Sequence, residues 1–450
     1  MSSHSGSAGL TWRNWAGNVT ASPRRVASPG SAAEVAAEVT RAAEDGQTIR
    51  MTGSGHSFTP TAVCDGVLLR PDRLAAIRSV DAAAGTVTVE AGCPLHVLNA
   101  ELLARGLSLA NMGDIQVQTV AGATQTGTHG TGRDIGGMAA QVAGLELVLA
   151  DGRIVACSAD APDGGLTGPD GAPAPLLDAA RVGLGALGIV TAVTFRVVPA
   201  FLLEAREDPM SWTQVLSHLD ELTADNEHFE FYWFPHSEGC LTKRNNRSDG
   251  PARPLPRWRY LLDDEFLSNS VFRLTNQLGR QIPAAIPTIN SVAARALGSR
   301  TYIDAAYRVF TSPRRVRFKE EEYAVPRAAL SDVLAEVRSL FRRRDWRISF
   351  PIEVRVTPAD DVWLSTAYGR DSAYIAIHVF HSAPHQQYFD DVEAIMTSVG
   401  GRPHWGKMHT RDAYYLNGAY PRMSQFVALR DQLDPDRRFG NAYLRQVLGS

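Results

Sequence analysis

The chain has 450 residues, a length that usually exceeds one compact hydrophobic core, so we expect two domains. Hydrophobic residues make up 44% and charged residues 21% of the sequence, the balance of a soluble globular protein. The net charge of -3 excludes a generally basic surface and gives no indication of nucleic acid or an anionic membrane as a partner.

The cysteines and the amino terminus indicate a reducing compartment. The four cysteines lie far apart and form no CxxC pair, so neither a zinc site nor a disulfide framework is expected: Cys64, Cys93, Cys157 and Cys240. The leader MSSHSGSAG lacks a basic segment followed by an apolar one, and the sequence has no run of about 18 apolar residues. We therefore predict a cytoplasmic protein without a targeting signal or a transmembrane span.

The first 200 residues combine helical and short extended segments. Apolar residues at helical spacing predict a helix over residues 31–44, which leads into a strand and a glycine turn, RMTGSGHSF. GVLLR and TVTVEAG are strand candidates, and leucine spacing predicts a second helix over residues 94–105. LELVLADG and IVACS form a predicted hairpin around Asp151 and Gly152. This region is therefore expected to be α+β.

The composition changes near residue 200, where glycine becomes rarer and aromatic residues and arginine become more frequent. The alternating segments HFEFYWFPH and VRFKEEEYAV predict strands, and residues 266–297 are irregularly helical. We interpret this half as a second domain. Its arginine clusters are interpreted as solvated faces: Arg314, Arg315 and Arg317, and residues 342–344.

The run GLGALG, residues 183–188, matches the GxGxxG pattern of nicotinamide-binding Rossmann folds. That motif acts where a strand precedes the glycines and a helix follows them. Here the helix-like LLDAARV precedes and the alternating IVTAVTFRVV follows. We therefore predict a turn from helix to strand and no Rossmann site.

Two other glycine-rich segments suit a phosphate better. TGSGHS and GATQTGTHGTG offer consecutive backbone amides without bulky side chains, and the second segment adds threonine hydroxyls. Two such loops can hold the two phosphates of a dinucleotide. Each loop also places a histidine, His56 or His129, among small residues.

The phrase GSGHSF after a strand, followed by NMGD and VAGATQTGTHGTG, resembles the FAD domain of the vanillyl-alcohol-oxidase-type flavoproteins. The resemblance implies a PCMH-type FAD-binding fold with FAD joined covalently to His56, a link that tends to raise the redox potential of the flavin. The second loop has no cysteine, so a single attachment is implied. The residues implied to bind the cofactor are Thr52, Gly53, Ser54, Gly55, His56, Ser57, Gly113, Asp114, Thr119, Gly122, Ala123, Thr124, Gln125, His129, Gly130, Thr131, Gly132, Gly188 and Ile189.

The carboxy-terminal half contains two groups of charged residues. In IEVRV, strand alternation places Glu353 and Arg355 on one face, and HWGKMH contributes Lys407. On an exposed surface these would be ordinary solvated charges. Facing a flavin, the oriented guanidinium and the ammonium would stabilise negative charge on a substrate oxygen. The residues alone leave both interpretations open.

The run from FPIEVRV through ADDVWLSTAYGRDSAYIAIH to GGRPHWGKMH resembles the sugar-1,4-lactone oxidoreductases and the related alditol oxidases. The resemblance covers nearly the whole chain and is weakest between residues 206 and 301. It implies catalytic roles for Glu353, Arg355, Lys407 and His378. Peripheral membrane association is known among such relatives.

The same resemblance implies the domain organisation. An FAD-binding domain would comprise residues 1–200, completed by residues 411–450. A substrate (cap) domain, built on an antiparallel sheet, would comprise residues 201–410.

Two departures from the alditol oxidases favour a lactone substrate over a linear polyol. Asp114 stands where a serine contacts their substrate, and Phe380 stands where a threonine does. The implied reaction is hydride transfer to FAD from the carbon bearing the lactone 2-hydroxyl, which gives an ascorbate-type product. Oxidation of a polyol such as xylitol or sorbitol is the alternative.

The resemblance also bears on the electron acceptor. Gly113 precedes Asp114 near the expected flavin edge, where glycine tends to admit oxygen and alanine tends to block it. Oxygen or another acceptor is therefore expected to reoxidise the flavin.

Two further alternatives concern a metal site and a protein without enzymatic activity. His378 and His381 in HVFH have a spacing found in metal ligands, but a strand puts them on opposite faces and no HExxH context accompanies them, so no metal site is expected. A redox-inactive flavin-binding protein is the non-enzyme alternative.

Overall fold

A computed structural model describes residues 10–450, apart from the side chain of Ser268. The strands of the amino-terminal part are β1 (Trp12–Arg13), β2 (Thr20–Ala21), β3 (Arg25–Ala27), β4 (Ile49–Met51), β5 (Val67–Leu69), β6 (Ile77–Asp81), β7 (Thr86–Glu90), β8 (Leu107–Ser108), β9 (Val142–Val148), β10 (Ile154–Ser158), β11 (Ile189–Arg196) and β12 (Val198–Pro199). Its helices are α1 (Ala32–Glu44), α2 (Leu95–Ala104), α3 (Val120–Gln125) and α4 (Leu176–Ala180), with 3-10 turns at Pro60–Ala62 and Met138–Gln141.

Two sheets organise this part. Strands β3, β5 and β4 form a parallel sheet, and β10, β9, β11, β7 and β6 form an antiparallel one. Helix α1 begins where the Ser31 side chain accepts a hydrogen bond from the amide of Glu34, and it buries Val35 and Val39 against the parallel sheet. The hairpin of β9 and β10 and the α+β character of the region are as predicted.

The second half of the chain is built on one large sheet. Its strands are β13 (Leu202–Ser211), β14 (His228–Trp233), β15 (Gly239–Ser248), β16 (Arg300–Ala305), β17 (Phe318–Pro326), β18 (Ile352–Thr357), β19 (Ser372–Phe380) and β20 (Arg402–Pro403). They lie in the order β16, β13, β15, β14, β18, β19, β17, β20, and every neighbouring pair is antiparallel. The antiparallel sheet expected for the cap is confirmed.

Helices cover this sheet and close the chain. Those inserted between its strands are α5 (Trp212–Ser217), α6 (Leu219–Ala224), α7 (Arg257–Tyr260), a π-helical segment (Leu261–Val271), α8 (Phe272–Gln281), α9 (Ile286–Ala296), α10 (Ala306–Phe310), α11 (Leu330–Arg343) and α12 (Gln386–Ser398), with 3-10 turns at Pro283–Ala285 and Arg327–Ala329. The last three are α13 (Ala413–Ala419), α14 (Met423–Leu433) and α15 (Ala442–Leu448).

The carboxy-terminal helices return to the amino-terminal part. Phe426 and Val447 belong to the same buried cluster as Val89 and Phe195 of the five-stranded sheet. A separate cluster lies between the large sheet and helices α5, α11 and α12. The domain boundaries near residues 200 and 410 stay a prediction.

Two further sequence expectations concern cysteines and membranes. All four cysteines are buried and unpaired. Among residues 10–450, no helix has both the length and the apolar character needed to cross a bilayer.

Candidate active site

Two connected cavities run through the molecule. The narrower one, about 900 Å³, is lined by residues 50–57, by α3 and by the turn before β11. The larger one, about 3240 Å³, is lined by strands of the large sheet and by the helices that cover it. Residues of both linings mark the place where the cavities meet: His56, Ser57, Gln118 and Thr126.

The first glycine loop follows β4 and presents its backbone to the narrow cavity. A Cβ added to Gly53 would lie 2.7 Å from the Thr119 hydroxyl oxygen, so only glycine lets the two loops approach this closely. Gly55 has a φ of +73°, which an L side chain rarely adopts. Every predicted residue of this loop, from Thr52 to Ser57, lines the narrow cavity.

The second loop contributes a short helix and its cap. The Thr119 hydroxyl accepts a hydrogen bond from the Gly122 amide at 3.2 Å, which starts α3. Thr119, Gly122 and Gln125 line the narrow cavity, as do Gly188 and Ile189 from the far side. The GLGALG run forms the predicted turn between α4 and β11.

Five predicted cofactor residues lie outside the linings of both cavities: Ala123, Thr124, Gly130, Thr131 and Gly132. Ala123 and Thr124 are buried in the amino-terminal core. The Thr131 hydroxyl donates to the backbone carbonyl of Phe229 at 2.5 Å, and the Gly132 amide donates to that of Val356 at 2.8 Å. The polar groups of Thr131 and Gly132 thus fasten the second loop to the large sheet, and a cofactor-binding role for the five residues stays a prediction.

Two buried side chains with unpartnered atoms test the fit to FAD. Arg50 lines the narrow cavity, and burial lowers its pKa to about 10. Its terminal nitrogens donate to backbone carbonyls such as that of Leu184, and its Nε has no hydrogen-bond partner among the described residues. Gln118, at the meeting point, likewise has a buried Oε1 without a partner. A cation and bare glycine amides suit a pyrophosphate, and a free amide oxygen suits a flavin N–H. The lining therefore fits FAD. The sequence analysis did not identify Arg50 or Gln118 as cofactor-binding residues.

His56 stands where the cavities meet. Its ring stacks on Trp15, with 5.2 Å between ring centroids and 26° between planes. Burial, followed by the nearby Lys407 cation, lowers the pKa of His56 to about 4. The imidazole is therefore neutral at pH 7 and keeps a free lone pair.

A charged group from β14 and β18 faces the larger cavity. Glu353 and Arg355 form an ion pair on the same face of β18, as predicted from the alternation. The Arg355 Nε also donates to Glu230 at 2.8 Å, and the Tyr232 hydroxyl lies 3.1 Å from Glu230 and from Glu353. Burial alone would lower the pKa of Arg355, but Glu353 and Glu230 outweigh it and raise that pKa well above its usual value.

Asp114 makes an ion pair that the sequence did not indicate. The Arg314 guanidinium donates to its carboxylate at 2.6 and 2.9 Å, and both residues line the larger cavity. Burial would raise the pKa of Asp114, but Arg314 and Arg355 outweigh it and hold the pKa below its usual range. Arg314 is exposed, as interpreted from the sequence, but its guanidinium also pairs with Asp114 at the edge of the larger cavity.

Lys407 is brought to the cavity by a backbone ladder. The amides of His404 and Met408 donate to the carbonyls of Glu322 and Glu320, each at 2.9 Å, so this segment runs along β17. The Lys407 ammonium forms an ion pair with Glu320 and lies 5.4 Å from the centre of the Phe58 ring.

His378 and Phe380 lie two positions apart on β19. His378 lines the larger cavity, and its Nε2 lies 3.3 Å from Glu320. Phe380 packs instead in a small apolar cluster with Val316 and Phe350. Its predicted part in substrate choice therefore has no support in the geometry.

His129 lies on the floor of the larger cavity. Its ring stacks on Tyr374 with 3.5 Å between centroids, and its Nε2 lies 3.3 Å from Glu322. The ligand atoms of His129, Glu322 and His404 lie within 4.8 Å of one another. The Lys407 ammonium, 4.0 Å from Glu322, already supplies a positive charge to that carboxylate.

Four residues of the charged site escaped sequence reasoning: Tyr232, Glu320 and Glu322, which line the larger cavity, and Glu230, which pairs with Arg355. Glu230 and Tyr232 alternate with apolar residues in a wholly buried strand, and Glu320 and Glu322 flank Glu321 in the buried middle of β17. The sequence signal that could have identified them is an ionisable residue at every second position of a buried strand. Such a residue indicates a paired site, because a buried charge requires a partner.

Comparisons with known proteins agree with this arrangement. Residues 23–158 match the FAD binding domain family, and residues 193–447 match the D-arabinono-1,4-lactone oxidase family. With the cofactor cavity and the charged site, these matches define an FAD-dependent oxidoreductase. The chain belongs to the D-arabinono-1,4-lactone oxidase family.

Relatives and solved structures extend the likeness over the whole length. The chain is 42% identical to an L-gulono-1,4-lactone dehydrogenase of Mycobacterium tuberculosis, over 97% of this chain and 99% of that protein. It is 31% identical to the L-gulonolactone oxidase of Bos taurus over 98% of each chain. The B. sterolicum cholesterol oxidase structure shares the fold, with a TM-score of 0.82 at 18% identity over 97% of this chain and 96% of that one.

Proposed function

We propose that this protein oxidises a sugar-1,4-lactone at its 2-hydroxyl with FAD as the cofactor. The observation that carries the proposal is the presence of two cations, Arg355 and Lys407, in the cavity that meets the glycine-loop cavity at His56. The relatives named as gulonolactone dehydrogenase and oxidase support a lactone as the substrate.

The side chains suit the chemistry of this oxidation. The carbon gives up a hydride and its hydroxyl gives up a proton, so negative charge develops on the oxygen. Bound FAD supplies the hydride acceptor. Arg355 and Lys407 would donate hydrogen bonds to that oxygen, and their fixed positions make the stabilisation effective. Glu353 and Glu230 orient the Arg355 fork, and enolisation of the resulting 2-keto lactone would give an ascorbate-type product.

The ion pair at Asp114 supports a lactone in preference to a linear polyol. Arg314 engages one of the Asp114 carboxylate oxygens, and a carboxylate can accept a hydrogen bond but cannot donate one as a hydroxyl in a polyol site does. A lactone has fewer hydroxyls to match than an alditol with the same number of carbons, because two of its oxygens are the carbonyl oxygen and the ring oxygen.

Anaerobic titration of the flavin absorbance tests this function. We expect gulono-, galactono- or arabinono-1,4-lactone to bleach the flavin, because the site is matched to a 2-hydroxyl beside a lactone carbonyl. Xylitol and sorbitol serve as the comparison substrates. Bleaching by the polyols with no response to any lactone would contradict the proposal.

Arg355→Lys tests the role of the guanidinium. Lysine keeps the charge between Glu353 and Glu230 but loses the planar fork, so we expect turnover to fall by about 100-fold with unchanged flavin content. Arg244→Lys is the matched control, since Arg244 pairs with Asp208 on the same sheet but outside the larger cavity. Parallel loss of flavin and turnover in Arg355→Lys would leave Arg355 with only a structural role.

We further propose that His56 carries a covalent link to FAD. Its neutral imidazole at the meeting point of the cavities supports this, because a free lone pair is what attack on an electrophile requires. We expect the acid-denatured protein to keep its yellow colour, and His56→Ala to release free FAD under the same treatment. His378→Asn, which alters another histidine of the larger cavity, should keep the link. Release of FAD from the denatured wild-type protein would refute the covalent link.

Gly113 is proposed to govern reoxidation by oxygen. A Cβ added there would lie 2.9 Å from the Thr128 Cγ2 and 3.2 Å from the His129 carbonyl oxygen, so alanine tightens this wall of the larger cavity. We expect Gly113→Ala to slow the return of flavin colour in air without changing the rate of bleaching by a lactone. In the double variant Gly113→Ala with Thr128→Ser, the methyl group that the new Cβ would contact is absent. Reoxidation should stay slow in this double variant. Unchanged reoxidation in Gly113→Ala would exclude this role.

A further inference from the structure

Strand β17 carries three consecutive glutamates, and alternation divides them between two faces. Glu320 and Glu322 line the larger cavity. Glu321 lies on the opposite face, where burial and the nearby Glu393 raise its pKa well above the usual value. One strand therefore offers two carboxylates to the site and places one acid with a raised pKa on the face away from it.

Glu320 holds two cavity residues at once. One of its carboxylate oxygens forms the ion pair with the Lys407 ammonium, and the other lies 3.3 Å from the His378 Nε2. The His378 Nδ1 lies 3.3 Å from the carbonyl oxygen of Pro351, a hydrogen bond that would fix the ring from its other side. The positions of Lys407 and His378 therefore depend on the same carboxylate.

Glu322 lies on the other side of the ammonium. Its carboxylate is 4.0 Å from the Lys407 Nζ and 3.3 Å from the His129 Nε2. The backbone carbonyl of Glu322 also accepts a hydrogen bond from the His404 amide. The segment that carries Lys407 is therefore held at a fixed position along β17. Two carboxylates of β17 thus lie beside the Lys407 ammonium, and the same carboxylates contact His378 and His129.

The charge of Lys407 depends on these neighbours. Burial alone would lower the pKa of Lys407, but Glu320 and Glu322 outweigh it and, with Asp114, raise that pKa. His378 and His129 contact the same two carboxylates as the ammonium. His56 and His404 also lie near the ammonium, and burial lowers the pKa of His56 to about 4 and of His404 to about 3. Both imidazoles are neutral at pH 7, so the compensating charge comes from carboxylates.

We propose that Glu320 and Glu322 are positioning residues that hold Lys407 as a cation aimed into the cavity, and that Glu320 orients His378 with it. The catalytic consequence rests on the proposed function, in which Lys407 stabilises the substrate oxyanion. Without Glu320, burial of the ammonium would favour the neutral amine, which carries no charge to stabilise an oxyanion.

The sign of the pH effect follows from this. In the wild type the ammonium stays charged through the neutral range, so its contribution to catalysis is present there. In Glu320→Gln the lowered pKa brings deprotonation into reach, and activity should fall as the pH rises through that pKa. A new alkaline limb in the pH profile is therefore the signature of the lost carboxylate.

The experiment measures kcat as a function of pH, between about pH 6 and pH 10, for the wild type and four variants. Glu320→Gln should show the new alkaline limb, and Glu322→Gln should show a weaker one because its carboxylate is farther from the ammonium. Glu320→Asp keeps the charge but shortens the reach, so kcat should fall with an unchanged pH profile. Glu321→Gln is the matched control on the opposite face and should resemble the wild type.

A second readout needs no substrate. Acetic anhydride labels only neutral amines, and mass spectrometry of the holoenzyme peptides measures the labelling rate at Lys407, whose side chain is 23% exposed. We expect at least about tenfold faster labelling in Glu320→Gln than in the wild type or Glu321→Gln, since one pKa unit changes the neutral fraction tenfold.

These two readouts separate the inference from the proposed function. Unchanged labelling and an unchanged pH profile in Glu320→Gln would overturn the inference. Faster labelling in an enzyme that no lactone reduces would overturn the function and leave the positioning role intact. If Glu320→Gln fails to fold, the labelling rate in Glu322→Gln decides, and a rate equal to that of the wild type would overturn the inference.

Discussion

The pairing of buried Arg355 and half-buried Lys407 with carboxylates on the large sheet is the constraint on which the site depends. Removing one partner of a buried ion pair costs about 3–5 kcal/mol, because the other charge is left uncompensated. Arg355 is paired with Glu353 on its own strand and with Glu230 on β14, and Lys407 is paired with Glu320 on β17. These pairs exist only in the observed strand order and register, so the sheet and its charged site are specified together.

The same site joins the two parts of the chain. The Phe58 amide donates to the Gly406 carbonyl at 2.7 Å, and the Thr59 hydroxyl donates to the Trp405 carbonyl at 2.7 Å. The first glycine loop is therefore tied to the segment that carries Lys407. Because His56 belongs to that loop, the place expected to receive the flavin ring and the cations expected to face the substrate are held by one set of short contacts.

Local sequence patterns were sufficient to predict some features of the site and insufficient to predict its long-range ion pairs. Alternation placed Glu353 beside Arg355, and the context of GLGALG predicted a turn instead of a Rossmann site, because both depend on residues close in the chain. Glu230 lies 125 residues from its partner Arg355, and Arg314 lies 200 residues from Asp114. Such pairs are created by strand order and loop packing, which spacing in the sequence does not reveal.

A crystal structure of the FAD-loaded protein with a bound 1,4-lactone would test the central claim most directly. The account predicts that the lactone 2-hydroxyl oxygen lies within hydrogen-bond distance of both the Arg355 guanidinium and the Lys407 ammonium. It also predicts that the adjoining C–H points toward the meeting point of the cavities at His56. A lactone whose 2-hydroxyl contacts neither cation would contradict the claim.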